Sequence, residues 1–281
     1  MLRHRLIPRL PPGTPGRSPI LGGTFGRVNL LASHTQQGQP PGVPPLSLTG
    51  ERTLPDVPAE NYWYRRHLAV YRWIADRCRG LDVVDMACGE GYGTAVLAER
   101  AARVTGVDAN PEAHEHARLK YSRAGVRFVR DLVEAYSEPC DAVVFLQTIE
   151  HLENPTACLD HFRSILRPGG AAFVSTPNVL TLAPPGAERS DNPWHVHEYR
   201  AAEFLELCES SFERVELLGV FHARKLRVHE LAIKAGWDRV HPRLGITKPF
   251  YDRFTPAISE DDFALRTGNL DGALDFVAVL R

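Results

Sequence analysis

No aspartate or glutamate occurs in the first 50 of the chain's 281 residues, whereas five arginines do (Arg3, Arg5, Arg9, Arg17 and Arg27). Residues 1–57 hold ten prolines and eight glycines. Such a composition buries too little apolar area to offset the entropy of ordering the chain. An unstructured tail over 1–57 is therefore expected, ahead of one folded domain over 58–281. The prolines break the amphipathic helix an Arg-rich targeting leader needs, and the segment lacks the apolar core of a secretory signal. No apolar run in the chain is long enough to cross a bilayer. None of the five cysteines (Cys78, Cys88, Cys140, Cys158 and Cys208) pairs as C-x-x-C. Their apolar neighbours read as buried, reduced thiols, so a cytoplasmic protein is expected. Lysine is scarce, 4 against 29 arginines, yet the formal net charge is only −1. That balance gives no reason to expect a nucleic acid, or insertion into a membrane.

From residue 59 onward the pattern becomes regular. Trp63, His67, Val70, Tyr71, Ile74 and Cys78 share one helical face, which predicts a helix over 60–78. Apolar strands follow at "LDVVDMA", "RVTGVD", "GVRFV", "CDAVVFLQ" and "AAFVSTP", separated by helices. Two of these helices open on Asn-Pro, at Asn110-Pro111 and Asn154-Pro155, with asparagine as N-cap and proline in the first turn. "FERVELLGV" and "ALDFVAVLR" read as two last strands. Alternation of this kind implies a mainly parallel sheet covered by helices on both faces. Ligands of such sheets bind beyond the carboxyl ends of the strands, where the strand order reverses.

After the first strand, "VVDMACGEGYGT" (83–94) spaces its glycines G-x-G-x-G, one residue short of the dinucleotide fingerprint. It also carries Asp85 and Glu90. A phosphate about 5 Å from either carboxylate would be repelled by about 3 kcal/mol at an effective dielectric of about 20. A phosphate-free, cationic ligand gains instead. S-adenosylmethionine fits that description, with its ammonium and sulfonium groups. Asp108, at the end of the second strand, is placed to accept both ribose hydroxyls.

"VVDMACGEGYGT", "VTGVDAN", "CDAVVFLQTIEHLENP" and "ILRPGGAAFVSTPN" resemble, in order and spacing, the successive motifs of the class I S-adenosylmethionine-dependent methyltransferases. The resemblance implies a Rossmann-like α/β fold with a seven-stranded, mainly parallel sheet. By position it implies that Asp85, Ala87, Gly89 and Gly91 line the methionine end. Asp108 and Ala109 lie at the ribose, Asp131 after the third strand near the adenine, and Gln147 after the fourth. The sequence Gln147-Thr148-Ile149-Glu150 stands where methyltransferases of base amines carry [DN]-P-P-[YF], which argues against a nucleic-acid amine as acceptor. Across 54–281 the chain also resembles a group of actinobacterial methyltransferases associated with assembly of methylated glucose polysaccharides. That likeness implies a saccharide hydroxyl as acceptor, with a quinone precursor, lipid or other small molecule as the alternative, and a non-catalytic scaffold as a second one. The first 50 residues lie outside it.

Methylating a hydroxyl requires a base, and histidine is suited to it. His151 directly follows Glu150 beyond the fourth strand. His195 and His197 lie in the polar loop "DNPWHVHEYR" after the fifth. Asp191, His195, His197 and Glu198 have the residue types of a divalent-metal site, but no surrounding shell can be read and no metal is assigned. Two acceptor-side segments are expected, a loop over 178–198 and an inserted lid over 221–272. In the latter, Phe250, Tyr251 and Phe254 either stack on an acceptor or pack the insertion onto the sheet.

Overall fold

The computed structural model describes residues 35–48, 52–184 and 186–281. Helix α1 (Asn61–Ala75) precedes β1 (Asp82–Met86), α2 (Tyr92–Leu97), β2 (Arg103–Val107), α3 (Pro111–Tyr121), β3 (Val126–Val129) and β4 (Cys140–Leu146). Then come α4 (Pro155–Ile165), β5 (Leu166–Pro177), α5 (Val179–Leu182), α6 (Ala201–Glu209) and β6 (Val215–His222). Three insertion helices, α7 (Arg224–Lys234), α8 (Trp237–Arg243) and α9 (Thr247–Phe254), lead to β7 (Phe263–Arg266) and β8 (Asp275–Leu280). One sheet results, in the order β3-β2-β1-β4-β5-β8-β6-β7. The first five strands in that order are parallel. β8 runs antiparallel to both β5 and β6.

The sheet thus has eight strands rather than seven. The additional one, β7, is a four-residue edge strand antiparallel to β6 at the end of the insertion. Its apolar pattern is too short to stand out in the sequence. Strand alternation sorts the side chains onto two faces. Val83, Val144, Val277 and Val279 join α1 and α2 in one core. Val84, Val143, Phe145 and Phe276 join α4 and α6 in the other. Asn110 and Asn154 cap α3 and α4 as their sequences imply, each accepting from backbone N–H groups of the first turn.

A buried pair fixes α1 across the sheet. Arg66 makes a two-pronged contact to Asp275, the first residue of β8, and donates to the Leu274 carbonyl at 2.7 Å. Asp275 is registered opposite Pro177, the last residue of β5, so α1 is held against the carboxyl edge of the sheet.

The tail expected over 1–57 is seated on the domain wherever it is described, at 35–48 and 52–57; residues 1–34 lie outside the described residues. Leu46, Leu54 and Val57 close into a small apolar cluster of their own. The polar anchors lie elsewhere in the chain, which is why composition alone misses them. Gln36 donates to Glu90 at 3.2 Å, and His116 bridges the Pro44 carbonyl (2.7 Å) and Glu90 (3.0 Å). Lys120 links Asp56 (3.1 Å) to Glu90 (2.8 Å). Glu90→Ala would leave Lys120 and His116 facing each other without their shared anion. A loss of about 3 kcal/mol in urea unfolding is expected, with faster proteolysis within 35–57. Unchanged stability would show that the segment is not anchored through this residue.

Candidate active site

The strand order reverses between β1 and β4, with β2 and β3 on one side and β5 on the other. The residue following each of these two strands adopts a left-handed backbone, Ala87 at φ 54° and Gln147 at φ 53°. Both turns therefore leave the sheet abruptly and expose their backbone at one edge. Gln147 is held there by Ser175, whose hydroxyl receives bonds from the Gln147 side chain (3.0 Å) and backbone N–H (3.2 Å).

The three glycines of the first turn serve different ends. A Cβ on Gly93 would stand 2.1 Å from the Tyr71 ring, and one on Gly91 2.7 Å from Ala117, so both allow close packing of helices. Only at Gly89 would a Cβ meet nothing within 4 Å. Gly91 is accordingly turned toward α3, and Gly89 alone of the three presents open space to a ligand. The Gly89 N–H donates to Asp108 at 2.8 Å, and the Asn110 N–H donates to the other Asp108 oxygen at 2.8 Å. The ends of β1 and β2 are tied together by this half-buried carboxylate, whose oxygens keep further accepting capacity. Ala109 is exposed beside it, and Asp131 is half-buried two residues beyond β3.

The two acids of the turn are unlike. The Glu90 carboxylate faces α3 and segment 35–48, where Lys120 balances it and Tyr121 and the Tyr92 N–H also donate. Its charge does not bias the turn toward a cationic ligand, contrary to the expectation from sequence. Asp85 keeps that role. It is fully enclosed beneath the turn, accepting from the Thr94 hydroxyl at 2.6 Å and from Tyr71 at 3.2 Å, and among the described residues no cationic side chain pairs with it. Burial pushes its carboxyl up to about 7, against the two hydroxyl bonds, and the Asp108 charge adds to the rise. A buried carboxyl whose ionisation a nearby cation would favour, under an open glycine, suits a ligand ending in an ammonium group.

At the end of β4, the turn Ile149–His151 meets the loop after β5. The Glu150 carbonyl accepts two backbone bonds, from Val196 (2.9 Å) and His197 (3.0 Å). In return His151 Nδ1 lies 2.9 Å from the Trp194 carbonyl. A carbonyl only accepts, so Nδ1 carries a proton, and in the neutral ring Nε2 is then the acceptor nitrogen. His195 is set in the same way. Its Nδ1 contacts Glu198 at 2.7 Å, and its Nε2 faces the Asn192 side-chain amide at 2.8 Å. Asn192 Oδ1 is occupied by the Trp194 N–H, so the amide nitrogen points at the ring and donates to it. The two imidazoles stand 5.1 Å apart, edge to face. Burial pushes the Glu150 carboxyl up to about 8, against its own backbone N–H and the Thr176 hydroxyl at 3.1 Å. Burial also raises Glu198, but its bonds to Ser190 and His195 outweigh this and hold it below the ordinary range.

The structure brings His151 and His195 together and leaves His197 out. His197 is exposed, with its ring tilted against Tyr199. The side chains that gather are Glu150, His151 and His195, not the Asp191, His195, His197 and Glu198 set readable within the loop. Glu198 instead orients His195. The adjacent Glu150-His151 pair was the one signal for this grouping, and its distance from 195 in sequence hid the rest. Trp194, exposed beside the histidines, was not singled out from sequence either. Phe250, Tyr251 and Phe254 pack within the insertion. Phe250 stacks on Phe254 at 5.3 Å, and Tyr251 bonds His229 at 2.9 Å. A cavity of about 370 Å³ opens at the opposite edge, beside the first residues of β1 and β2. Its Arg103, Arg127 and Arg167 are each paired with carboxylates, and it lies away from the strand ends that carry these groups.

Because the folded Asp85 carboxyl titrates near 7 and an unfolded one near 4, the folded state holds the extra proton between those values. Its contribution to stability is full below about pH 4 and is lost as the pH rises to about 7. In urea unfolding from pH 5 to 8, Asp85→Asn is expected to gain on the wild type up to about pH 7 and then run parallel to it. Parallel curves throughout would place the carboxylate in a better solvated site.

Residues 62–231 match a family model described as a methyltransferase domain. A probable S-adenosylmethionine-dependent methyltransferase of Mycolicibacterium smegmatis is 39% identical over 246 residues, spanning 83% of this chain and 94% of that one. A ubiquinone biosynthesis O-methyltransferase of Xylella fastidiosa is 34% identical over 142 residues, 46% of this chain and 57% of that one. Among solved structures, an S-adenosylmethionine-dependent methyltransferase of Mesorhizobium loti superposes with a TM-score of 0.51 at 17% identity, covering 77% of this chain and 98% of that one. With the Rossmann-like sheet and the glycine turn already described, these likenesses place the chain in the class I S-adenosylmethionine-dependent methyltransferase family.

Proposed function

We propose that the enzyme methylates a hydroxyl group of a small molecule, a sugar or oligosaccharide, with His151 and His195 activating the acceptor. The observation that carries this reading is the pair of imidazoles brought together beyond β4, each with Nδ1 tied to an acceptor; the His195 Nε2 accepts from the Asn192 amide, a bond that an acceptor hydroxyl would displace. An alcohol is a weak nucleophile until its proton is withdrawn, and a neutral imidazole is suited to withdraw it. S-adenosylmethionine supplies an electrophilic methyl on a sulfonium. For its binding, Gly89 offers open backbone, Asp108 the acceptor atoms for the ribose hydroxyls, and Asp85 a negative field from below. Ala87, Ala109, Asp131 and Gln147 complete the edge along which the cofactor lies.

A saccharide is favoured by the polar loop that folds over the histidines and by the exposed Trp194, whose ring face suits the C–H face of a sugar. The sequence's resemblance to actinobacterial methyltransferases associated with methylated glucose polysaccharide assembly favours the same acceptor. A second reading, an aromatic quinone precursor, is favoured by the Xylella relative named for ubiquinone biosynthesis. Incubation with methyl-labelled S-adenosylmethionine and a panel of glucosides, glucose oligomers and catechol-type phenols separates the two. Label in the carbohydrates is expected, and label confined to the phenols would discard the sugar.

Two substitutions test the residue roles. Asp108→Ala is expected to weaken S-adenosylmethionine binding by about 2 kcal/mol in calorimetry, through lost charge-assisted hydrogen bonds. His151→Ala is expected to lower kcat far more than cofactor affinity. Equal losses in both quantities would make His151 a structural residue.

A further inference from the structure

We infer that Glu150, His151 and His195 form a binding site for a divalent transition-metal ion of the Mn2+ to Zn2+ class. The inference rests on the hydroxyl-methylation reading for its use, and on geometry alone for its existence. One ligand atom from each residue lies within 4.8 Å of the other two. Ligand atoms around a bound ion stand about 3 to 3.5 Å apart when each bond is about 2.1 Å, so closure needs side-chain movements of about an ångström. Two imidazoles with one carboxylate favour a transition metal over Mg2+ or Ca2+, which prefer oxygen donors throughout.

The surroundings are those of a ligand set rather than of three polar residues met by chance. Metal-bound histidines pass their second ring N–H to a carbonyl or carboxylate, which fixes the tautomer and aims the other nitrogen. His151 does so to the Trp194 carbonyl and His195 to Glu198. Glu198 is itself held by the Ser190 N–H at 2.7 Å. Glu150 is 2% exposed, and its side chain accepts from Thr176. Its carbonyl carries the two backbone bonds that dock the loop bearing His195. The His195 Nε2 now accepts from the Asn192 amide, which an ion would displace by a turn of that side chain.

Three protein ligands leave coordination positions open for acceptor hydroxyls, and vicinal hydroxyls of a sugar fill two such positions together. With both imidazoles taken up as ligands, the ion rather than a ring nitrogen activates the acceptor, and the bound hydroxyl loses its proton to water. Its oxygen lone pair then forms the O–CH3 bond as the C–S bond of S-adenosylmethionine breaks, and that electron pair stays on sulfur to give S-adenosylhomocysteine.

Co2+ titration of the untagged, chelator-treated full chain tests the site without any acceptor. One equivalent of Co2+ is expected to bind and give visible d–d absorption. His151→Ala and His195→Ala should weaken binding by tenfold or more, and Glu198→Gln by roughly tenfold. His197→Ala should leave binding as in the wild type. Retained S-adenosylmethionine binding shows that each variant is folded. Absence of the absorption, or a spectrum insensitive to His151 and His195, would overturn the site. Full methyl transfer by metal-free enzyme would overturn its role while leaving hydroxyl methylation intact. Co2+ bound as expected, with no hydroxyl acceptor in the panel labelled, would overturn the acceptor reading and leave the site standing.

Discussion

Everything at the ligand edge depends on two strands ending side by side with nothing between them. β1 and β4 are neighbours in the sheet but far apart in sequence, and the helices that follow them, α2 and α4, pack into the two different cores. Each chain must therefore turn sharply in its first residue beyond the strand. Ala87 and Gln147 make that turn in a left-handed conformation, one that L-residues with a Cβ adopt at a cost of roughly 1–2 kcal/mol. The hydrogen bonds around them, from Gln147 to Ser175 and from Gly89 to Asp108, hold the strained geometry in place. The cofactor turn and the histidine turn are thus fixed relative to each other by the sheet rather than by direct contact.

Electrostatics at this edge is divided between residues that the sequence sets almost adjacent. Asp85 and Glu90 lie five positions apart, but one points under the turn and the other behind it. Glu90 spends its charge on Lys120 and on the chain segment 35–48. Asp85 has hydroxyl donors alone among the described residues, and so remains the group whose ionisation a cationic ligand would favour. The discrimination against phosphates inferred from two carboxylates falls to one of them, with Asp108 nearby.

The strands and caps were legible in the sequence because they are local. Asn110-Pro111 and Asn154-Pro155 carry their helix starts within three residues. "VVDM" and "AVVF" announce buried strands by composition alone. What was not legible depends on partners distant in the chain. Gln36 and Pro44 sit in a stretch whose composition speaks against folding, and their bonds to Glu90 and His116 reach residues distant in the chain. Likewise His195 and His151 are each visible as candidate bases, but their pairing follows from two backbone bonds to the Glu150 carbonyl, which no side-chain pattern records. The aromatic run at 250–254 was open to two readings, stacking on an acceptor or packing the insertion onto the sheet; Phe250 contacts His229 and Trp237 within the insertion, and Phe254 adds to the core that includes α1.

β8 lies between β5 and β6, although both are synthesised before it. Until it arrives, a nascent polypeptide displays two unsatisfied strand edges facing a vacant slot, bordered by Phe173 and Val220. Insertion of β8 fills that slot and delivers Asp275 to Arg66 in the same event. Completion of the sheet and locking of the first helix therefore depend on the same strand.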